Sequence, residues 1–194
     1  CSDLHKPQDG PGHRGSGGTM RVLMMGNPNV GKSALFNHIT GSKVVESNYP
    51  GTTVDYTYGH MRANGGDMEV IDVPGAFSLK AKDRAEEVAV RMMEENSDAV
   101  VMVVIDASKV ERGLYLALEI IERGRKVVVA LNMWDVARDH QVNVDVHALR
   151  EILQVPVIPT VAVGGDGLKE LVESIPQAST SSIEGIRRRM KEMS

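Results

Sequence analysis

Apolar residues along this chain fall into short blocks separated by stretches of helical period. Residues 21–25, 99–105, 126–131 and 156–159 are dominated by Val, Leu, Ile, Met and Ala, with turn residues near their ends. A run of that length suits a strand buried on both faces of a parallel sheet, where no alternation is required. Residues 56–63 and 67–73 read as two further strands around Asn64-Gly65-Gly66, an antiparallel hairpin at one side of the sheet. Between the blocks, a helix opens at Ser33, and apolar positions at helical spacing mark 83–96, 110–123, 145–153 and 167–175. Residues 43–55 show no such period and read as a polar loop with a turn at Pro50-Gly51, a candidate mobile switch. Strand and helix alternation of this kind predicts an α/β fold. The sheet is doubly wound and mostly parallel, six- to seven-stranded with one antiparallel edge hairpin, and the site lies at the strand C-terminal ends.

The flanks differ from the middle. Residues 1–19 hold five glycines and almost no large apolar side chain, so they read as a flexible leader. Its Cys1, His5 and His13 match no closed zinc pattern. Residues 20–175 form the folded domain. Residues 176–194 drift into Ser and Thr and then a basic helical pattern from 183 to 193, read as a tail or as the start of a helical module. At 194 residues and 42% hydrophobic content, one α/β domain with a substantial core is the simplest organisation. A net charge of -4 gives no general footprint for nucleic acid, so none is expected as a partner. The one cysteine leaves no internal disulfide, which together with a nucleotide loop points to the cytoplasm. No run approaches the roughly 18 apolar residues of a membrane span.

Gly26-Asn27-Pro28-Asn29-Val30-Gly31-Lys32-Ser33 satisfies G-x-x-x-x-G-K-[ST] between a strand and a helix, the context this phosphate-binding motif requires. Glycines let successive N–H groups point inward, and the helix start, with Ala34 in its first turn, adds partial positive charge. Lys32 is expected to reach the β- and γ-phosphates and the Ser33 hydroxyl to ligate Mg²⁺. Asp72-Val73-Pro74-Gly75 closes a strand, with Asp72 placed for the Mg²⁺ shell, through water, and the Gly75 N–H for the γ-phosphate. Asn132-Met133-Trp134-Asp135 follows another strand and resembles the guanine-reading N-K-x-D of translation-factor-type GTPases, with Met133 in place of Lys. A carboxylate at Asp135 accepts from both the ring N–H and the exocyclic amine of guanine; adenine presents no such pair. Val161-Ala162-Val163 stands where a base-backing loop would offer main-chain N–H groups to the guanine oxygen.

These strings together, with Asn48-Tyr49-Pro50-Gly51-Thr52-Thr53-Val54-Asp55, resemble the cytosolic G domain of the FeoB ferrous-iron transporters over about residues 20–175. The resemblance implies a P-loop GTPase (Ras-like) G domain binding GTP or GDP, followed in full-length members by a helical domain and a membrane region. It implies that Thr53 closes on Mg²⁺, with Gly51 and Thr52 beside it, and that Asn29 helps hold a K⁺ ion. Lys32, Thr53, Gly75 and Asn29 are then the candidate catalytic groups of a slow GTPase that regulates or drives iron uptake. Homo-oligomer formation stays an open expectation. Ala76 stands where Ras-like proteins place a water-orienting glutamine, and a methyl group forms no hydrogen bond. Two other readings are carried alongside: an Era- or Der-like GTPase binding ribosomal RNA, and a regulatory nucleotide binder without turnover. His38 reads as a surface or packing residue; Trp134 reads either as a neighbour of the base or as simple packing.

Overall fold

A computed structural model describes residues 19–41, 44–63 and 66–193. The leader's Cys1, His5 and His13 lie outside these residues, as do Asn64 and Gly65 of the hairpin turn. Seven strands form one sheet: β1 (Met20–Gly26), β2 (Val44–Asn48), β3 (Asp55–Ala63), β4 (Gly66–Asp72), β5 (Val100–Asp106), β6 (Val127–Asn132) and β7 (Val157–Pro159). Their spatial order is β2-β3-β4-β1-β5-β6-β7. β3 pairs antiparallel with both β2 and β4, and every other pairing is parallel.

The uninterrupted apolar runs are explained by two cores, one on each sheet face. Successive side chains alternate in direction, so Leu23 and Met25 of β1 enter one core while Val22 and Met24 enter the other. β5 divides likewise, with Val101, Val103 and Ile105 on one side and Val100, Met102 and Val104 on the other. The first core is covered chiefly by α2 (Arg84–Glu95) and α3 (Val110–Glu122), with α4 (Trp134–Asp139) and α5 (Val146–Leu153) beside them. The second is covered by α1 (Lys32–Thr40) and α6 (Leu168–Ser174). Each fully buried Leu, Ile, Val or Met contributes roughly 1.5–3 kcal/mol, so the central strands form a stiff platform. β1 lies between β4 and β5, and the helices that follow β1 and β4 cover opposite faces, which opens a crevice at the C-terminal end of β1.

Two elements depart from the sequence pattern. Residues 44–48, expected within a polar loop, form edge strand β2; its side chains are exposed or half-buried, so main-chain pairing with β3 holds it. α4 has only six residues, too few to show a helical period. Beyond residue 175, α7 (Ile183–Glu192) starts at Ser182, whose hydroxyl accepts from Gly185 N at 3.1 Å. It docks through buried Ile186, and Arg189 Nε donates to the Ile152 carbonyl at 2.8 Å. Among the described residues, no helix is long and apolar enough to cross a membrane.

Candidate functional site

The crevice is walled by the loop between β1 and α1. Asn29 (φ 64°) and Gly31 (φ 80°) are left-handed, which curls the chain before α1. A side chain on Gly31 would be strained by its φ and would also run into the Asn132 amide. α1 has no side-chain cap and no acidic residue in its first turn, so its leading N–H groups keep their affinity for an anion. Lys32 Nζ donates to the Asp72 carboxylate and, at 2.6 Å, to the Val73 carbonyl. Ser33 Oγ donates to the other Asp72 oxygen at 3.5 Å. Lys32, Ser33 and Asp72 therefore converge. Their hydroxyl and carboxylate oxygens are hard donors of the kind Mg²⁺ takes, so the residue set fits the ion.

The segment after Asp72 is fixed against the loop. Val73 N donates to the Met24 carbonyl and Ala76 N to the Gly26 carbonyl, each at 3.1 Å. A Cβ on Gly75 would lie 3.3 Å from the Pro28 nitrogen, so a side chain there would press on the phosphate loop. Ala76 is 1% exposed and faces the core, which removes it from any contact with water. Two carboxylates hold the next residues. Buried Glu86 accepts from Phe77 N at 3.0 Å and Lys82 N at 2.8 Å, and Glu119 of α3 accepts from Leu79 N at 2.6 Å and the Ser78 hydroxyl at 3.1 Å. Neither glutamate was singled out in the sequence, although Asp83-x-x-Glu86 is a capping-box pattern and Asp83 does accept from Glu86 N at 2.9 Å.

Residues 49–54 form a tight turn. Tyr49 N donates to Val54 O at 2.8 Å, and the Thr52 hydroxyl donates to Tyr49 O at 2.9 Å while accepting from Val54 N at 3.1 Å. Thr52 is thus committed to the turn, whereas Thr53 is exposed and its hydroxyl makes no bond among the described residues. The Tyr49 hydroxyl donates to Glu95 at 2.6 Å, tethering the turn to α2. Burial first, then the bond to Glu95, push the Tyr49 phenol up to about 12. The folded state then keeps a proton that the unfolded chain loses near pH 10, so this stability is present below pH 10 and lost as pH rises to 12. Tyr49→Phe will flatten that part of a pH–stability curve, which denaturant midpoints between pH 9 and 12 would show.

At the far end of the crevice, Asn132 is 2% exposed and joins three segments. Its Nδ2 donates to Val30 O at 2.9 Å, and its Oδ1 accepts from Ala162 N at 3.0 Å and the Thr160 hydroxyl at 3.2 Å. These bonds tie the phosphate loop to the 160–162 segment. The Met133 Sδ-methyl lies beside Gly31, and Trp134 packs partly against the first core. Asp135, in the first turn of α4, makes no hydrogen bond or ion pair among the described residues. In the 161–163 segment, Val161 N donates to Asp166 O at 3.0 Å and Ala162 N to Asn132. Only Val163 N, on a residue 84% exposed, remains unbonded there. The segment expected to offer several N–H groups thus offers one.

A doubly wound sheet with this loop at its switch point, a converging Lys32–Ser33–Asp72 set and an Asn-x-x-Asp corner defines a P-loop GTPase-type G domain. The model of the ferrous iron transport protein B family matches residues 20–175, and the chain belongs to that family. A fused Fe(2+) transport protein A/Fe(2+) transporter FeoB of Porphyromonas gingivalis is 38% identical over 162 residues, covering 82% of this chain and 19% of that protein. The chain thus spans about one fifth of the length of such relatives. The cytosolic domain of Legionella pneumophila FeoB superposes with a TM-score of 0.80 at 35% identity, over 84% of this chain and 64% of that one. The cytosolic domain of Thermotoga maritima FeoB in its GMPPNP form gives 0.78 at 36%, over 84% and 67%.

Proposed function

We propose that this chain binds GTP and GDP with Mg²⁺, hydrolyses GTP slowly, and works as the cytoplasmic switch that controls ferrous-iron uptake through a membrane region of the same transporter. The observation that carries the guanine assignment is the pairing of two unspent groups, the Asp135 carboxylate and the Val163 N–H, on either side of the Asn132 knot. A carboxylate matches the two donors on one edge of guanine, and a lone N–H matches its carbonyl oxygen. Adenine reverses that polarity. Family membership favours iron transport over ribosomal RNA as the destination of the signal.

In this reading Gly26 to Ala34 wrap the phosphates, and Lys32 exchanges the Asp72 carboxylate for β- and γ-phosphate oxygens. Ser33 and Thr53 would hold Mg²⁺ directly and Asp72 would hold it through water; the ion supplies neutralisation of charge on the phosphate oxygens. Asn29, exposed on the left-handed loop, would place its side-chain oxygen toward K⁺. Thr53 has its hydroxyl free to move toward the phosphates, while Gly51 and Thr52 give the turn its shape. Gly75 offers its N–H to the γ-phosphate. Hydrolysis releases both segments.

GTP will displace fluorescent GDP from the chain while ATP at a hundredfold excess will not, and single-turnover hydrolysis will run faster in K⁺ than in Na⁺. Asn29→Ala should erase that difference with GDP affinity retained; an equal rate in both salts would remove Asn29 from the catalytic set. Ala76→Gln will leave turnover slow and lower stability, because the longer polar side chain enters a packed core. A large rise in kcat in that variant would show that the missing glutamine was the sole defect.

A further inference from the structure

A cavity of about 210 Å³ opens between the first half of the phosphate loop and α3. Asn27, Asn29, Phe77, Asp106, Lys109 and Arg112 line it. It lies on the side of the loop that faces Phe77, two residues beyond Gly75, and neither Lys32 nor Ser33 borders it. A water's share of liquid volume is about 30 Å³, so the space holds a small tetrahedral anion with several waters.

Its polar groups are of two kinds. Lys109 and Arg112 are exposed cations with no ion pair among the described residues. Two residues that line the same space carry an acceptor with unused capacity. Asp106 Oδ1 already accepts from Ser108 N at 2.8 Å and Ser108 Oγ at 2.6 Å, which leaves Oδ2 unbonded. Asn27 is 5% exposed, and its buried Oδ1 has no hydrogen-bond partner. A buried acceptor left unpaired is costly and calls for a donor. A simple anion satisfies the cations and leaves both acceptors unmet, with the Asp106 carboxylate opposing it. A simple cation satisfies the acceptors and is repelled by Lys109 and Arg112. The group that meets all four is an oxyanion that still carries a proton, and phosphate near neutral pH is such a species.

We propose that this cavity is a binding site for dihydrogen phosphate, through which the cleaved γ-phosphate leaves. The inference rests on the GTPase reading above, in which water adds to the γ-phosphorus, the bond from that phosphorus to the bridging oxygen of GDP breaks, both water protons stay on the cleaved phosphate oxygens, and dihydrogen phosphate is released. P–O⁻ oxygens accept from Lys109 and Arg112. The ion's two P–OH groups donate to Asp106 Oδ2 and, with the Asn27 side chain turned toward the cavity, to Asn27 Oδ1. The site therefore selects phosphate over sulfate, which has the same shape and no proton to donate at neutral pH. That selectivity separates it from the phosphate loop itself, whose N–H groups would take either ion.

The test is calorimetric titration of the GDP-loaded chain with inorganic phosphate at fixed ionic strength. Phosphate should bind, and sulfate about tenfold or more weakly, as expected when charge-assisted bonds are lost. A Lys109→Ala/Arg112→Ala double variant, altered at exposed positions, should lose phosphate affinity by a similar factor and keep its affinity for GDP. Equal binding of sulfate, or unchanged phosphate binding in the double variant, overturns the site. So does a chain that binds GDP and no phosphate, and that result leaves the nucleotide reading standing. A chain that binds phosphate but no GDP would overturn the exit role and the nucleotide reading together. Phosphoserine, titrated in parallel, separates the two sources of the group: tighter binding than inorganic phosphate, dependent on the same two side chains, would make a phosphorylated partner the ligand and overturn the exit role.

Discussion

Replacing Asp135 by Asn will weaken guanosine nucleotides by about a hundredfold or more and strengthen xanthosine nucleotides. The carboxylate has no partner in the protein among the described residues, so its hydrogen-bonding capacity is available to a base. Two charge-assisted bonds to guanine are worth roughly 1.5–3 kcal/mol each, or about 3–6 kcal/mol together. Asn keeps the shape of the side chain and offers one oxygen and one NH₂. Against guanine the NH₂ meets a donor, and against xanthine, which carries a carbonyl in place of the amine, it finds an acceptor. The measurement is competition of GDP and XDP for a fluorescent nucleotide. Guanosine affinity within threefold of the parent would mean that Asp135 does not read the base. Because α4 is short and the residue is half-exposed, the variant is expected to fold.

The second large effect falls on stability. Asn132→Ala removes three hydrogen bonds and leaves the Val30 carbonyl, the Thr160 hydroxyl and the Ala162 N–H without their partner. Unsatisfied buried groups cost about 1–3 kcal/mol each, so a loss of about 3–5 kcal/mol is expected. In a domain of this size that lowers Tm by about 10 °C. Asn132→Asp refines the test. It keeps an acceptor for Thr160 and Ala162 but sets a carboxylate oxygen against the Val30 carbonyl, so it should also be destabilising. Thermal melts within about 2 °C of the parent for both variants would show that the knot contributes little. Nucleotide affinity should fall with it, since the phosphate loop and the base corner would no longer share an anchor.

The sheet was legible because its central strands bury both faces, and that requirement writes itself as unbroken apolar runs such as 99–105. β2 was not, because an edge strand held by main-chain pairing needs no apolar pattern. The phosphate loop could be read directly, since its curl demands glycine and its charge demands Lys32 at fixed spacing. Asn132 was expected as a nucleotide contact; that it also ties the protein together, through a bond between residues about a hundred positions apart in the chain, was not. No local spacing records such a bond. Glu86 and Glu119 escaped notice for the same reason: acidic residues on amphipathic helices look like a solvated face, and only the fold brings them to the loop's N–H groups.

The loop after Gly75 hangs from two helices rather than resting on a surface. Its bonds to Glu86 and Glu119 mean that a displacement large enough to matter must either break charge-assisted bonds or drag α2 and α3 with it. α3 also bears α7 on its flank, where the described chain ends. The loop and α7 are therefore mounted on one shared strut, so a shift of the loop that carries α3 with it would be felt at α7.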